Sequence, residues 1–503
     1  MTQSVQRKMA SGAIWMVLFK LVERSLGLIS TLILARLLVP ADFGIVAMAI
    51  SFIAMAELLT AFGFDYAIIQ TKDATESHFN TAWTCNVLLN LGVTALTLAM
   101  AWPIAHFYGK PEVVWVVCAL AFGPLIAGAE NIGVVAFRKE LDFKREFRFQ
   151  VSRKLIGFMV TVPLAFWLRS YWALVAGMLT SKIAGTAMSY MMHPFRPRFE
   201  MTRFRELFHF SRWLLFISLV NFLKERVSDF FIGRMHGPAA LGSYNIAYEL
   251  ANLPTTEIGA PINRALLPGF AKLTTSDEVS DAYSLAVGVL AILALPAAAI
   301  IFSVAPFLVP VILGAKWLSA VPLMQVLAFN GALLLFHSSI SAVLLGRGFA
   351  MRVGASNATH VGLLVVLLTV LSSQFGVVGA AYAALGASIL ATPVYLYQIH
   401  RALGVAPRVF LKAIARPLTA ALSVALILHF ALPAHVPDLG FVPTVVWLLL
   451  GSAAGVALYT TGVLGLWSLA GRPAGPERAV LDRLTSFLAP RFGGRFAKPQ
   501  QPS

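Results

Sequence analysis

Long apolar segments recur along the whole chain, and they constrain its fold more than any other feature. A membrane-spanning helix needs about 20 mostly apolar residues. About fourteen such segments are predicted, with short turns between them. They lie near residues 12–35, 42–64, 82–105, 113–136, 151–168, 172–192, 210–232, 240–263, 284–306, 318–345, 354–372, 376–399, 413–432 and 442–469. The sequence therefore predicts an all-α polytopic membrane protein.

The charge content supports this prediction. Charged residues make up 12% of the 503 residues, about half of the share in a soluble globular protein. A net charge of +16 in a soluble domain would suggest nucleic acid. In a membrane protein, basic residues instead collect in cytoplasmic loops, and here Lys and Arg are concentrated in alternate loops and the C-terminal tail. Both termini are therefore expected in the cytoplasm, and no nucleic-acid partner is expected.

An internal repeat relates the two halves of the chain. A shift of 198 residues aligns residues 33–49 with residues 231–247, and five positions are identical. The identical pairs are Arg36 with Arg234, Pro40 with Pro238, Ala41 with Ala239, Gly44 with Gly242, and Ala49 with Ala247. Six predicted helices separate the copies, and an even number makes the repeats parallel. This pattern predicts two six-helix lobes with a substrate path between them, which is a transporter architecture.

The predicted domains follow from the repeat. An N-lobe is predicted over residues 1–195 and a C-lobe over residues 196–405. Helices thirteen and fourteen occupy residues 406–470, and a basic cytoplasmic tail covers residues 471–503. An amphipathic helix is expected in this tail from Pro476, with one apolar face formed by Val480, Leu481, Leu484, Phe487 and Leu488. This helix and the segment from Phe137 to Lys154 are interpreted as anchors on anionic lipid.

Ionisable residues inside the predicted spans are the candidate functional residues. An ionised side chain at the bilayer centre costs about 2.5–3.5 kcal/mol, so these residues must face a wet cavity, one another or the interface. Two interpretations stay open: a structural ion-pair network, or an anion-binding cavity whose carboxylates carry a coupling ion. The cationic candidates for substrate binding are Lys20, Arg24, Lys182, Lys224 and Arg226. The acidic candidates for ion coupling or gating are Glu23, Glu57, Glu225, Asp229, Glu249 and Glu257.

The residue types of this cluster indicate a class of substrate. Arginine offers a planar donor fork and lysine a point charge, and both suit a phosphate. A cationic site inside a membrane predicts an anionic amphiphile, such as a lipid phosphate or pyrophosphate. The eighth predicted helix contains Pro254, Pro261 and Pro268 and is expected to be kinked. Asp65 and Arg264, near predicted inner helix ends, are interpreted as interfacial.

Motifs of enzymes and metal sites are absent from the sequence. There is no G-x-x-x-x-G-K-[ST] loop for ATP, no H-E-x-x-H and no zinc-spaced set of His and Cys. His337 and His360 are interpreted as packed side chains rather than as ligands or proton carriers. We therefore expect no enzyme activity, no metal and no cofactor, with H⁺ or Na⁺ as candidate coupling ions.

Several stretches of the sequence resemble one family of membrane transporters. These stretches are LILARLLVPADFGIVAMA (32–49), NTAWTCNVLLNLGV (80–93), FRKELDFKREFRF (137–149), YWALVAG (171–177) and IGRMHGPAALGSYNIAYELANLP (232–254). They are similar to the polysaccharide transporter family of flippases, in its Wzx-like branch. That family belongs to the multidrug/oligosaccharidyl-lipid/polysaccharide exporter superfamily. The resemblance covers residues from about 30 to 400, and it implies two six-helix lobes in a V with two extra helices.

The resemblance also implies a function. Such flippases move undecaprenyl-pyrophosphate-linked oligosaccharide repeat units from the cytoplasmic to the periplasmic leaflet of the bacterial inner membrane. They serve exopolysaccharide, O-antigen or capsule biosynthesis, by alternating access that is often coupled to protons or sodium. A cationic cavity is a family feature, and Lys20, Arg24, Lys224 and Arg226 are the matching candidates. Membrane lipids, a polysaccharide polymerase and export machinery are the expected partners.

Three alternatives stay open on the sequence. A lipid II flippase and a drug exporter belong to the same superfamily, although an exporter of cations should have a net acidic cavity. A membrane-embedded polysaccharide polymerase or ligase is the more distant alternative. Such an enzyme usually needs a large outside loop with catalytic residues, and the predicted loops here are short.

Overall fold

Helices form all the regular secondary structure in the residues that the structure describes. The structure is a computed structural model that describes residues 2–60, 64, 68, 69, 71, 74–273, 275–433, 440–473 and 475–488. The helices are α1 (Thr2–Leu37), α2 (Pro40–Glu57), α3 (Glu76–Tyr108), α4 (Glu112–Gly128), α5 (Val135–Lys139), α6 (Phe143–Leu168), α7 (Trp172–Met192), α8 (Phe204–Ala271), α9 (Ser276–Ile312), α10 (Ala320–Gly346), α11 (Ala350–Leu403), α12 (Pro407–Ala431), α13 (Phe441–Leu469) and α14 (Pro476–Leu488). Short 3₁₀ turns cover Leu58–Thr60, Ile132–Val134 and Ala315–Trp317. The all-α prediction is confirmed.

Two pairs of predicted segments run together in the structure. The seventh and eighth segments form the two arms of α8, and the eleventh and twelfth form the two arms of α11. The chain leaves helical geometry between the arms at Gly237 (φ 80°) and at Gly376 (φ 61°). Positive φ at these two positions favours glycine, which has no Cβ to clash with the backbone.

In the part of the chain that the structure describes, fewer helices are long and apolar enough to cross a membrane than the fourteen spans that the sequence predicts. Among the described residues, eight helices are long and apolar enough to cross a membrane, or nine if the bent pair Glu112–Gly128 and Ile132–Lys139 is one span. The charged helices α1 and α8 are not among the eight. The chain is thus a multi-span membrane protein, whereas the number fourteen stays a prediction.

The chain divides into two compact units. Unit 1 comprises Met1–Asn245, Ile312–Ser319 and Leu368–Ala380, and unit 2 comprises Ile246–Val311, Ala320–Leu367 and Ala381–Ser503. In unit 1, Leu34 of α1 and Leu38, just after that helix, are buried in one core cluster with Ala165 and Ala173. In unit 2, the large side chains buried in the core include Tyr283, Phe307, Phe336, Tyr395 and Phe410. The predicted six-helix lobes stay a prediction.

The sequence repeat has a structural counterpart in unit 1. A Cβ atom added to Gly44 would overlap the carbonyl oxygen of Pro238, and one added to Gly242 would overlap that of Pro40. Gly44 and Pro40 correspond to Gly242 and Pro238 under the shift of 198 residues. Reciprocal contacts between equivalent residues define a two-fold relation. The first turn of α2 and the turn after Gly237 therefore pack backbone to backbone about a local pseudo-two-fold axis.

One sequence prediction is corrected by the packing. Phe137 and Phe149 are buried with Val134 in one core cluster, and the Phe147 ring lies 5.1 Å from that of Trp15. The interpretation of these aromatic residues as a lipid anchor is wrong, because α5 and α6 turn them toward protein. The chain leaves helical geometry at Gly237 and is helical at Pro254 and Pro261, and the kink expected from the prolines stays a prediction.

The C-terminal amphipathic helix is confirmed as a helix, and its first turn is attached to unit 2. Pro476 packs against Gly288 of α9, where a Cβ would overlap the proline ring. Glu477 is buried, and its Oε1 lies 3.1 Å from Nε of Arg416 on α12. Its role at the lipid surface stays a prediction, and residues 489–503 lie outside the described residues, as does Asp65.

Candidate functional site

Lys20, Glu23 and Lys154 form a cationic cluster between α1 and α6. Nζ of Lys20 lies 2.8 Å from Oε2 of Glu23, and Nζ of Lys154 contacts the other carboxylate oxygen. The side chains of Lys20 and Lys154 are 56% and 43% exposed, and that of Glu23 is 24% exposed. One carboxylate therefore holds two ammonium groups, and the cluster keeps a positive charge that is open to a ligand.

Lys182 and Glu57 form a second pair, between α7 and α2. Their Nζ and Oε1 atoms lie 3.3 Å apart, and the two side chains are 31% and 39% exposed. The lysine side chain lies against α4, where a Cβ at Gly123 would sit 3.2 Å from Nζ. From the sequence, Lys182 is a candidate for substrate binding and Glu57 a candidate for ion coupling or gating. The structure joins them in one ion pair.

Arg153 and Glu130 form a third pair, which the sequence analysis missed. NH1 of Arg153 lies 3.5 Å from Oε2 of Glu130, and the guanidinium is over the Phe149 ring at 5.8 Å. Ser181, next to Lys182, donates a hydrogen bond to the carbonyl oxygen of Arg153. Arg153 and Lys154 are consecutive on α6, so the first and third pairs are neighbours. Both residues belong to the segment from Phe137 to Lys154 that the sequence analysis interpreted as a lipid anchor, although they fall in the first turn of a predicted span.

Asp229 is the buried member of the candidate set. Oδ2 lies 3.1 Å from NH1 of Arg226, one turn before it on α8, and accepts a hydrogen bond of 3.0 Å from Ser51 on α2. Its side chain is 5% exposed, against 35% for Arg226. Asp229 and Arg226 thus form an ion pair to which Ser51 contributes a hydrogen bond, and whether either residue also has a role in transport stays a prediction.

The remaining candidates differ in exposure and in the unit to which they belong. Arg24 and Lys224 are half-buried and Glu225 is exposed, all in unit 1. Glu249 is half-buried and Glu257 is exposed, and both are in unit 2. Within the described part of the chain, His, Cys, Asp and Glu do not form groups of three that could hold a metal ion.

The three partly exposed pairs of unit 1 share one chemical property. Four cations (Lys20, Lys154, Lys182 and Arg153) face three carboxylates, which leaves a positive surplus. Exposed ion pairs are weak, about 0.2–1 kcal/mol each. An anion with several oxygens, such as a phosphate, can therefore replace a single carboxylate at little cost. The arrangement is suited to reversible binding of an anionic group.

One segment of unit 1 that was not among the sequence predictions is held by hydrogen bonds to neighbouring helices. We call residues 193–203, which connect α7 to α8, the strap. Asn131 donates to the carbonyl oxygen of Phe195, and Asn80 accepts from the backbone N–H of Arg198. Glu200 accepts hydrogen bonds from Ser77, Thr202 and Asn80, which lower its carboxyl pKa. Helix side chains thus satisfy the strap's backbone, since it belongs to no helix.

His193, at the start of the strap, lies against α5 and against the 3₁₀ turn that precedes it. A Cβ at Gly133 would overlap the imidazole, and the ring is 5.8 Å from that of Phe137. Burial lowers the pKa of His193, and the nearby charges of Arg145 and Arg196 lower it further against the opposing effect of Glu140. The folded strap therefore favours the neutral imidazole.

Comparison with known proteins links this chain to polysaccharide biosynthesis. A family model described as polysaccharide biosynthesis protein matches residues 33–322. The lipopolysaccharide biosynthesis protein WzxC of Escherichia coli (strain K12) is 27% identical over 350 residues, 68% of this chain and 71% of that protein. The succinoglycan biosynthesis transport protein ExoT of Rhizobium meliloti (strain 1021) is 25% identical over 513 residues, 98% of each chain.

Two solved structures share the fold. The lipid II flippase MurJ in an inward closed conformation gives a TM-score of 0.73 at 12% identity, over 91% of this chain and 100% of that chain. An inward-facing multidrug resistance MATE family transporter of the MOP superfamily gives 0.56 at 16% identity, over 76% and 94% of the two chains. The fold of this chain is thus the fold of those transporters.

Proposed function

Because the chain belongs to the polysaccharide biosynthesis protein family, we propose that it is a flippase for lipid-linked oligosaccharides. The proposed cargo is an undecaprenyl-pyrophosphate-linked repeat unit, which moves from the cytoplasmic to the periplasmic leaflet by alternating access. The product would serve exopolysaccharide, O-antigen or capsule biosynthesis. The transporter fold and the multi-span topology support a transport protein rather than an enzyme.

The cluster of Lys20, Glu23 and Lys154 is the observation that carries the proposal. A pyrophosphate carries two phosphate groups, and the cluster offers two ammonium groups that share one carboxylate. In the free protein Glu23 neutralises part of this charge. When the pyrophosphate arrives, each lysine gains a charge-assisted contact with a phosphate oxygen. Lys182 and Arg153 extend the same cationic surface within unit 1.

The proposed location is the bacterial inner membrane, with both termini in the cytoplasm. The distribution of Lys and Arg among the loops supports this orientation. A polysaccharide polymerase and export machinery are proposed as partners, since a flipped repeat unit must be polymerised and exported. H⁺ and Na⁺ are proposed as candidate coupling ions.

Lipid II is the second candidate cargo. The fold similarity to a lipid II flippase favours it, and lipid II has the same lipid pyrophosphate. A drug exporter of cations is less consistent with the cationic surplus, and a polymerase or ligase is less consistent with a relative named as a transport protein.

The test is leaflet exchange in proteoliposomes. Fluorescent undecaprenyl-pyrophosphate oligosaccharides of several repeat structures, lipid II and a cationic drug would be compared, with and without H⁺ or Na⁺ gradients. We expect exchange of at least one oligosaccharide, and a loss of about tenfold or more in Lys20→Ala/Lys154→Ala. Exchange of lipid II alone would favour the second candidate. Absence of exchange for every pyrophosphate lipid would overturn the proposal.

A further inference from the structure

A buried pair of histidines lies in unit 2. His337 on α10 and His360 on the first arm of α11 have ring centroids 5.7 Å apart, at an interplanar angle of 87°. Their exposed fractions are 0% and 3%. Both helices are apolar and long enough to cross a membrane. Ionisable side chains at such positions are rare and usually functional.

The hydrogen bonds around His337 identify its tautomer. Nε2 lies 2.9 Å from Oγ1 of Thr392, on the second arm of α11. The Thr392 hydroxyl donates its single proton to the carbonyl oxygen of Ser388, so it must accept from His337. Nε2 therefore carries the proton of the neutral ring. The lone pair that can accept a second proton is on Nδ1.

Tyr395 provides a surface that suits a charged imidazole. Its ring is stacked on His337 with centroids 4.1 Å apart and an interplanar angle of 7°. The phenol hydroxyl donates a 2.6 Å hydrogen bond to Oδ1 of Asn357. The face of an aromatic ring attracts a cation, more strongly where water is excluded. Protonation of His337 is thus accommodated by the stacked ring.

The helices that pack around the histidine pair also carry charged residues. These residues are paired with other groups, lie on segments that meet another face of α10, or are exposed. Arg352, two turns before His360 on α11, donates to Gln398. The second arm of α8, which bears Glu249 and Glu257, packs on α10 through Gly259 against Leu335 and Asn263 against Ser338. Those two α10 residues lie on a different face of the helix from His337. On α12, which places Phe410 against Phe336, Arg416 pairs with Glu477. The other basic residues of this helix, Arg408, Lys412 and His429, are exposed.

We propose that His337 and His360 form a proton-binding site that couples transport of the lipid-linked oligosaccharide to a proton gradient. The transport part of this proposal rests on the proposed function, whereas proton binding does not. One proton adds to a ring-nitrogen lone pair from one side of the membrane and leaves the same pair on the other side. The pair joins α10 to the first arm of α11, and Thr392 and Tyr395 join it to the second arm. A charge at this junction changes the packing of three helical segments and so biases the transporter between its conformations.

The first experiment measures proton binding without any cargo. The protein, labelled with ¹⁵N-histidine, would be titrated in lipid nanodiscs from about pH 5 to about pH 8 and compared with His337→Gln and His360→Gln. We expect the two signals that these variants remove to titrate in this range. Each substitution should shift the other midpoint by about 0.5 pH units or more, because the charges interact. Two imidazoles that stay neutral throughout would overturn the proposal.

Two further variants make this titration specific. Thr392→Val keeps the side-chain shape but removes the acceptor of His337 Nε2, so the midpoint of His337 should move while that of the exposed His106 does not. His106→Gln is the matched control and should leave both buried signals unchanged. Size-exclusion profiles like that of the wild type would show that each variant is folded.

The second experiment tests coupling in proteoliposomes. A gradient of about 1.5 pH units should accelerate cargo exchange by the wild type, and each Gln variant should lose about tenfold of that acceleration. The exposed His106→Gln should keep both the acceleration and the exchange without a gradient within about twofold of the wild type. Full acceleration in His337→Gln/His360→Gln would overturn coupling at this site. A wild type that exchanges no pyrophosphate lipid would instead overturn the proposed function, and the titration would still decide the proton site.

Discussion

Lys182 on α7 and Glu57 on α2 are bound to each other, with 3.3 Å between Nζ and Oε1. A cation that could bind substrate is thus held by a carboxylate that could carry a coupling ion. The pair is about one-third exposed on each side, so it stabilises the fold by only about 0.2–1 kcal/mol. Its two members can therefore be separated by substitution without unfolding the protein.

Lys182→Gln should reduce oligosaccharide exchange by about tenfold, because it removes a cation from the surface proposed to bind pyrophosphate. Glu57→Gln should keep exchange within about threefold of the wild type, since the lysine stays. Leaflet-exchange rates measure both, with the exposed Lys412→Gln as a matched loss of charge elsewhere. Equal losses in the two single variants and recovery in the double variant would instead indicate a structural pair.

Gly44→Ala and Gly242→Ala should each destabilise the protein by about 1–3 kcal/mol or more, because the new methyl group meets a proline carbonyl on the opposing backbone. Gly27→Ala is the matched control, since nothing lies within 4 Å of a Cβ at that helical position. Alanine there should stabilise the helix by about 0.5–1 kcal/mol. The fraction of monodisperse protein after heating in detergent measures the difference. Equal heat resistance of the three variants would contradict the reciprocal packing.

The strap should loosen at acidic pH. Hydrogen bonds from Ser77, Thr202 and Asn80 hold the pKa of Glu200 below its ordinary value of 4.5. The folded protein therefore binds this proton less readily than the unfolded chain, so the carboxylate stabilises the strap at neutral pH. That stabilisation is lost as the pH falls through the lowered pKa.

Hydrogen exchange of residues 193–203, corrected for intrinsic rates, should show this loss of protection in the wild type. In Glu200→Gln the protection should be weaker at neutral pH and should change less on acidification. Glu76→Gln, an exposed carboxylate at the start of α3, is the control. A strap whose protection is independent of pH in the wild type would contradict the prediction.

Glu477→Gln should detach α14 from α12. The Glu477 carboxylate is 3% exposed and its Arg416 partner 25% exposed, and removing one member of such a pair leaves a poorly solvated charge. We expect a loss of about 1–3 kcal/mol in the attachment of this helix. Limited proteolysis near residues 471–475 should then be faster. Asp482→Asn, which breaks the exposed pair with Arg478, should leave the cleavage rate unchanged.

Apolar periodicity was sufficient to predict the helical membrane fold, and the repeat marked Pro40 and Pro238 as equivalent positions without predicting any contact between the two copies. They were not sufficient to predict the strap, because an extended segment bonded by helix side chains has no periodicity of its own. One signal did exist in its partner helix. Ser77, Asn80, Thr81 and Thr84 follow helical spacing near the start of α3 and mark a polar stripe in an otherwise apolar span.

The sequence indicated which charged residues are candidates for the site, but not which of them pair with one another. Lys20, Glu23, Lys182 and Glu57 lie in ion pairs as expected for intramembrane charges, but Lys154, Arg153 and Glu130 were missed. Pairing between helices depends on which faces meet, and one sequence contains no information on that contact. His337 was interpreted from the sequence as a packed side chain, and its contacts with Thr392 and Tyr395, more than 50 residues away, could not be predicted for the same reason.

The reciprocal contact of Gly44 with Pro238 and Gly242 with Pro40 is the packing that duplication of a half-length chain would produce. A two-fold contact requires only one surface that is used twice, so a half-length ancestor would have made the same contact between two subunits. Fusion of duplicated genes converts that subunit interface into interior packing. After fusion each turn can diverge separately, except where one backbone touches the other. Glycine and proline are among the five shared residues because, at those positions, each copy is still the binding partner of the other.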